Sequence, residues 1–381
     1  MSKTFFYWSP FLTHVGTVKS TINSAISLKK YSHNEPIIIN ACGEWDEYID
    51  LFNFNEIKVI NLCQFNYKKF LPKFGFLKSR ISYIIIFILS FFPLLGLLRK
   101  HKNCFFIAHL ITSLPIFLFK IFKIENELIL RISGMPKLNF FRKNFWKINK
   151  QKISFITCPS LQLLKKLKNA NIFDDKKIFF LPDAIFQVKD FVNQKKSSAI
   201  IDLAKDKKNI IGIGRLTRQK NFGYLINEFE SFSKNNSQFN LYILGDGEEK
   251  EKLKDLINKK GLNNKIFLLG NIKNVFNYIL NADVFVLSSL WEDPGFVLVE
   301  AGLGNLFVIS SDCPNGPKEI LNEGKNGLLF ENNKKGALEK CFYDYSELDD
   351  VKKLLMKKNL KKNISKYSIY RHFSYFKKIF N

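Results

Sequence analysis

The sequence predicts an α/β protein built from two doubly wound domains of similar size. Three observations carry that prediction. Short apolar runs alternate with longer helix-like segments from end to end, the pattern of parallel sheets flanked by helices. The alternation dissolves once, from Asp183 to Lys208, into a polar stretch rich in Lys, Asn, Gln and Ser that reads as a linker. The length, 381 residues, is enough for two domains at roughly 100–200 residues each.

In the first half the candidate strands are Thr4–Trp8, Pro36–Ala41, Lys58–Ile60, Cys104–Ala108, Glu127–Ile132, Ile153–Cys158 and Ile178–Leu181, with helical stretches between most of them. After the linker a second series starts cleanly, with strands at Asn209–Gly214, Phe239–Leu244, Lys265–Leu269, Asp283–Leu287, Leu306–Ser310 and Gly327–Phe330. Helices are expected near 220–234, 248–260, 273–281, 296–303 and 317–323. A last helix, Ile364–Phe380, carries Tyr367, Tyr370, Phe373 and Phe376 at mixed helical spacing. The expected division is therefore a first domain over 1–190, a second over 191–363 and a terminal helix over 364–381 that crosses back to the first. Two such domains leave a cleft faced by the carboxyl ends of their strands.

Composition narrows the functional classes. The hydrophobic share of 46% suits a buried core. Six scattered cysteines form no C-x-x-C pair and stand near no histidine at metal-ligand spacing, so idle thiols in a reducing compartment are expected. No metal site is expected. The first residues read as a strand with no secretory pattern, which places the protein in the cytoplasm.

The net charge is +25. The abundance of Lys, Asn, Ile and Phe, with 40 Phe, is what an AT-rich genome imposes, and part of the charge follows from it. Its distribution is more specific. Between Glu56 and Glu125 there is no acidic residue, while eleven Lys and Arg side chains run from Lys58 to Lys123, Lys73 and Lys78 among them. A field of one sign calls for an anionic partner. The cations alternate with apolar runs and not with stacking platforms, which favours an anionic membrane surface over nucleic acid.

Within that interval Ile81–Leu98 is apolar all round, so as a helix it is buried or in lipid. It sits at the lower end of the range of about 17–25 residues that span a bilayer. Basic residues flank both ends, and Pro93 and Gly96 interrupt it. A helix lying in the membrane interface fits best, ahead of an unusually apolar core helix and of a true span.

Three stretches could carry chemistry. In Ser288–Ala301, seven residues separate Glu292 from Glu300, with a Pro-Gly turn after the first. The turn ends a strand and starts a helix near Gly295, aiming the N–H groups of Gly295 and Phe296 at an anion. Paired carboxylates accept hydrogen bonds from sugar hydroxyls, although two ordinary glutamates would show the same spacing. Gly212–Phe222 follows a strand directly and carries Arg215 and Lys220, two fixed cations able to neutralise a diphosphate without a metal. A basic solvated turn is the plainer reading, and it fits Arg218. Leu244–Glu248 is a Gly-rich turn whose Gly245 and Gly247 a tight bend would also explain.

Taken in order, these stretches resemble the retaining glycosyltransferases of family 4, which have the GT-B fold. That family shows G-R-L-x-x-x-K-N, then G-x-G, then A-D-x-F-V-x-S-S, then E-x7-E followed by Ala. Here they read Gly214-Arg215-Leu216 with Lys220-Asn221, Gly245-Asp-Gly247, Ala282-Asp-Val-Phe-Val-Leu-Ser-Ser289, and Glu292 to Glu300-Ala301. Ser311–Ile320 resembles the variant found in members that build bacterial surface polysaccharides. The likeness is strong over about 209–331 and looser in the first domain. There Trp8–Thr17 looks like the family's first strand-to-helix loop, with one glycine, Gly16, where many members have two. Phe106-Ile-Ala-His109 looks like the strand ending in His. Leu130-Arg131-Ile-Ser133-Gly134 stands where many members carry a further histidine, and here the residue is Ser133. Arg131 and His109 also have plain readings, as a surface cation and a core histidine.

The resemblance implies a retaining, metal-independent enzyme with no cofactor. Its donor would be a nucleotide diphosphate sugar and its acceptor a glycan carried on a lipid. Arg215 and Lys220 would hold the donor diphosphate, Glu292 the sugar hydroxyls and Glu300 the ribose. Gly214, Gly245, Gly247, Gly295, Phe296 and Val297 would complete the donor side, and Gly16, His109, Arg131 and Ser133 the acceptor side. Surface-polysaccharide or lipopolysaccharide assembly at the inner face of the cell membrane is the expected setting. A nucleotide-sugar-binding subunit without transfer activity and a sugar-nucleotide epimerase on the same fold are the alternatives.

Overall fold

A computed structural model describes residues 2–13, 16–72, 76–134, 136, 138–196 and 203–380. His14 and Val15 of the first loop, Lys73, and 197–202 of the expected linker lie outside the described residues. The chain divides into two compact units, Met1–Ile185 with Tyr367–Asn381, and Phe186–Lys366.

The first unit is built on seven strands, β1 (Thr4–Trp8), β2 (Glu35–Asn40), β3 (Lys58–Asn61), β4 (Phe105–Ala108), β5 (Glu127–Arg131), β6 (Phe155–Cys158) and β7 (Ile178–Phe180). They lie in the order β3-β2-β1-β4-β5-β6-β7, all parallel. The strands are continuous apolar runs because both faces are covered. Phe6 and Trp8 enter one core while Phe5 and Tyr7 enter the other, the period of two that a strand dictates. The covering helices are α1 (Gly16–Tyr31), α2 (Ile49–Phe54), α3 (Phe76–Lys100), α4 (Ser113–Ile121), α5 (Phe140–Asn149) and α6 (Leu161–Asn169).

The second unit holds six strands, β8 (Lys208–Ile213), β9 (Phe239–Leu244), β10 (Ile266–Gly270), β11 (Val284–Leu287), β12 (Phe307–Ser311) and β13 (Leu328–Phe330). Their order is β10-β9-β8-β11-β12-β13, again all parallel. Its helices are α7 (Val188–Lys196), α8 (Phe222–Ser233), α9 (Lys250–Lys259), α10 (Phe276–Ile279), α11 (Phe296–Leu303), α12 (Pro317–Ile320), α13 (Ala337–Glu347) and α14 (Asp350–Ile364). In each sheet the order reverses once, between β1 and β4 and between β8 and β11. Such switch points open a crevice at the carboxyl ends of the strands.

Three expectations are corrected. The stretch 183–208 is not a plain linker: Asp183 is buried and Val188–Lys196 is helical. The last segment is not one helix from Ile364. The fourteenth helix ends at Ile364, a 3-10 turn follows, and α15 (Ile369–Phe380) returns to the first unit. There it packs on α1, with Phe376 5.0 Å from the Phe5 ring and Tyr370 5.3 Å from Tyr31. Arg131 is not a surface cation but is buried at the end of β5.

Helix α3 settles into one orientation. Ser82, Ile86, Ser90, Leu94 and Leu98 form a buried stripe at four-residue spacing. Ile81, Ile84, Ile88 and Phe92, the last 77% exposed, face outward. By length and composition α3 could cross a bilayer, and a third of its apolar window is buried within the protein.

Candidate functional site

In the second unit the loops after β8 and β9 lie against each other. Leu216 N–H donates to the Asp246 carbonyl and Glu249 N–H to the Leu216 carbonyl, both at 2.9 Å. A Cβ on Gly245 would stand 1.9 Å from the Gly214 carbonyl oxygen, and one on Gly247 would stand 2.4 Å from that of Leu216. This backbone contact accounts for both glycines without a ligand. Gly214 in turn leaves room for the Lys220 stem, whose Cε would be 3.1 Å from an added Cβ.

The loop after β8 is also stitched to the loop after β11, across the switch point. Lys220 Nζ lies 2.5 Å from Glu292 Oε1, and the same oxygen accepts from Ser289 Oγ at 2.5 Å. Ser288 Oγ donates to the Lys220 carbonyl at 2.8 Å, and Leu290 N–H donates to that of Gln219 at 2.8 Å. From the next loop, the Pro314 carbonyl accepts from Glu292 N–H at 3.1 Å. A buried carboxylate needs this much support, because an unpaired charge there would be costly. Cys313 is buried nearby, and burial, with Glu292 adding to it, pushes its thiol up to about 12.

Arg215 differs in kind. It is exposed and makes no ion pair among the described residues. Gly295, with φ +98°, caps α11, whose first residues Phe296 and Val297 are half-buried. Glu300 is half-buried one turn further along. Thus Lys220, Glu292 and Ser289 are brought into direct contact. In the sequence Ser288 and Ser289 stand only as part of a motif, and their position at a strand end beside a carboxylate is the available signal.

In the first unit, His109 follows β4 and Ser133 follows β5, at neighbouring strand ends. His109 Nε2 lies 2.5 Å from Ser133 Oγ, and its Nδ1 lies 3.4 Å from Thr21 Oγ1. Arg131 donates to Asp183 Oδ1 at 2.7 Å and to the Leu181 carbonyl at 2.8 Å. His372, from α15, lies 2.6 Å from the Pro182 carbonyl and 2.8 Å from Ser24 Oγ. One cavity is lined by Ser20, Thr21, Ser24, His109, Arg131 and His372. Burial lowers both histidines to about 4; Arg131 pushes the same way and Asp183 opposes it. Gly16 is exposed at the start of α1 and takes no part in these contacts.

Residues 193–369 match the family model described as glycosyl transferases group 1. That stretch, a little under half of the chain, is similar to the group 1 glycosyltransferases. It is 34% identical over 246 residues to an uncharacterized glycosyltransferase of Methanocaldococcus jannaschii, covering 60% of this chain and 61% of that protein. It is 24% identical over 238 residues to the Campylobacter jejuni N-acetylgalactosamine-N,N'-diacetylbacillosaminyl-diphospho-undecaprenol 4-alpha-N-acetylgalactosaminyltransferase, covering 61% and 64%. These matches therefore span under two thirds of either relative. The crystal structure of a glycosyltransferase from Rickettsia africae superposes with a TM-score of 0.76 at 18% identity, covering 99% of this chain and 97% of that one. The chain thus has the GT-B fold of that protein, two doubly wound domains with parallel sheets.

Proposed function

We propose that the protein is a retaining, metal-independent glycosyltransferase that moves a sugar from a nucleotide diphosphate donor to a glycan acceptor. The observation that carries this reading is the Lys220–Glu292 pair at the switch point of the group 1 domain, with the unpaired Arg215 on the same loop as Lys220. A diphosphate entering there exchanges partners with the pair. Its charge takes Lys220 and Arg215, and the sugar hydroxyls donate to Glu292. As the bond from the anomeric carbon to phosphate breaks, negative charge collects on the leaving diphosphate. Fixed cations stabilise that charge most strongly. Glu300 holds the ribose diol. The acceptor hydroxyl bonds to the anomeric carbon on the face the phosphate leaves, and its proton passes to the departing oxygen.

The acceptor is read as lipid-linked, because the Campylobacter relative is named for a diphospho-undecaprenol acceptor. The outward apolar stripe of α3, with exposed Arg99, Lys100, Lys120 and Lys123 in the same unit, suits docking on the anionic inner face of a membrane. Surface-polysaccharide assembly is the setting this implies.

Purified protein offered a panel of nucleotide sugars with a lipid-linked acceptor, with and without EDTA, tests the reading. Nucleotide release that needs acceptor and survives EDTA is expected. Donor binding without any release would instead favour a non-catalytic nucleotide-sugar-binding subunit.

A further inference from the structure

The hydrogen bonds around His109 can be assigned a direction. Thr21 Oγ1 lies 2.9 Å from the Thr17 carbonyl. A carbonyl only accepts, so the single hydroxyl proton of Thr21 is spent there. Toward His109 Nδ1 the Thr21 oxygen can therefore only accept, and Nδ1 carries the ring proton. The ring is fully buried and neutral, with Arg131 and Asp183 the charged groups beside it. A neutral imidazole holds one proton, so Nε2 is bare and accepts. Ser133 must then donate to it. The relay runs in one direction, from Ser133 through His109 and Thr21 to a backbone carbonyl.

The consequence concerns what Ser133 offers a ligand. Its one proton is committed inward, so toward a ligand its oxygen lone pairs can only accept. Ser133 is half-buried at the carboxyl end of β5, with His109 buried behind it. This is the sheet edge at which doubly wound folds bind ligands. We infer that Ser133 is a specificity-determining residue that accepts a hydrogen bond from a substrate sugar hydroxyl, and that His109 and Thr21 are positioning residues that hold it in that state. The inference rests on the proposed glycosyltransferase reading. A site polarised this way rejects an analogue whose group at that place cannot donate.

Steady-state transfer kinetics test it, with acceptor-free donor hydrolysis measured alongside. Ser133→Ala should lower kcat/KM about five- to ten-fold, mainly through the KM of whichever substrate supplies the hydroxyl. A rise in donor KM together with slower hydrolysis assigns the hydroxyl to the donor sugar, and a rise in acceptor KM alone assigns it to the acceptor. Ser133→Thr, which keeps the hydroxyl, should recover activity to within about two-fold. His109→Gln, whose amide oxygen can take the same proton, should stay close to wild type. His109→Leu should match Ser133→Ala, and the double variant should be no worse than either. Unchanged KM values for both substrates in a folded Ser133→Ala protein would overturn the inference, as would additive losses in the double variant. A wild-type protein that transfers no sugar would overturn the functional reading instead.

Discussion

Lys220 and Glu292, from the loops that follow β8 and β11, hold each other at 2.5 Å with side chains only 14% and 7% exposed. The pair is both a structural fastening and the proposed donor contact, so its two roles should separate on mutation. Lys220→Met or Glu292→Gln alone should destabilise the fold by about 3 kcal/mol, since each leaves a partner unmatched. The double variant should recover more than about 1 kcal/mol of the summed loss, read from urea midpoints. Turnover should not recover, staying down about 10²-fold in all three.

Arg215 offers the opposite test. It is exposed and unpaired among the described residues, so Arg215→Ala should leave stability within about 0.5 kcal/mol of wild type. Turnover, followed by nucleotide release, should nevertheless fall about 10²-fold. Wild-type turnover would remove it from the donor site.

Glu300→Ala should act on binding more than on turnover. Loss of the ribose contacts is expected to weaken donor affinity by about 1–3 kcal/mol, measured by calorimetry on protein shown to be folded. Unchanged affinity would exclude the ribose assignment.

Stability should depend on pH through His109 and His372. Both sit near 4 in the folded protein against 6.5 normally. The unfolded chain therefore takes up protons first as pH falls. Stability is full above about 6.5, declines toward 4, and loses nothing further from these groups below that. Each contributes a loss of up to about 3 kcal/mol. Subtracting the curve of His372→Gln from that of wild type, across pH 4–7, should reveal a difference of this sign and window. Parallel curves would contradict it.

For the membrane, the outward stripe of α3 identifies the targets. Ile84, Ile88 and Phe92 are exposed, whereas Ile85 and Phe87 pack on the core. Changing the three exposed residues to Ser should move the protein from anionic liposomes to the supernatant without lowering its melting temperature. Wild-type binding should weaken in salt but persist, because inserted apolar groups are not screened. Wild-type protein that ignores liposomes of every composition would make the stripe an ordinary surface.

The strands were legible because a strand buried on both faces writes itself as an apolar run, and β1, β9 and β11 stand within a residue of their expected bounds. Helices without an apolar period were not. The fourteenth helix is rich in Lys and buries only Leu360 and Ile364, so nothing in its pattern distinguished it from a solvated segment. Arg131 was misread for a different reason. Its partner Asp183 lies on a distant segment, and pairing across such a distance leaves no local trace. In the loops after β8 and β11 the sequence pattern located Lys220 and Glu292 but not their contact. It also could not distinguish glycines required by backbone approach from glycines that serve a ligand.

The return of α15 to the first sheet has a consequence for synthesis. Phe5 and Tyr7 are made before the second unit, yet α15, which completes with α1 the cover of their face, is translated after it. At roughly 5–20 residues per second, that leaves the apolar sheet face only partly covered, by α1, for on the order of ten seconds or more. The contacts that Phe376 and Phe380 make with Phe5 are therefore among the last to form during synthesis.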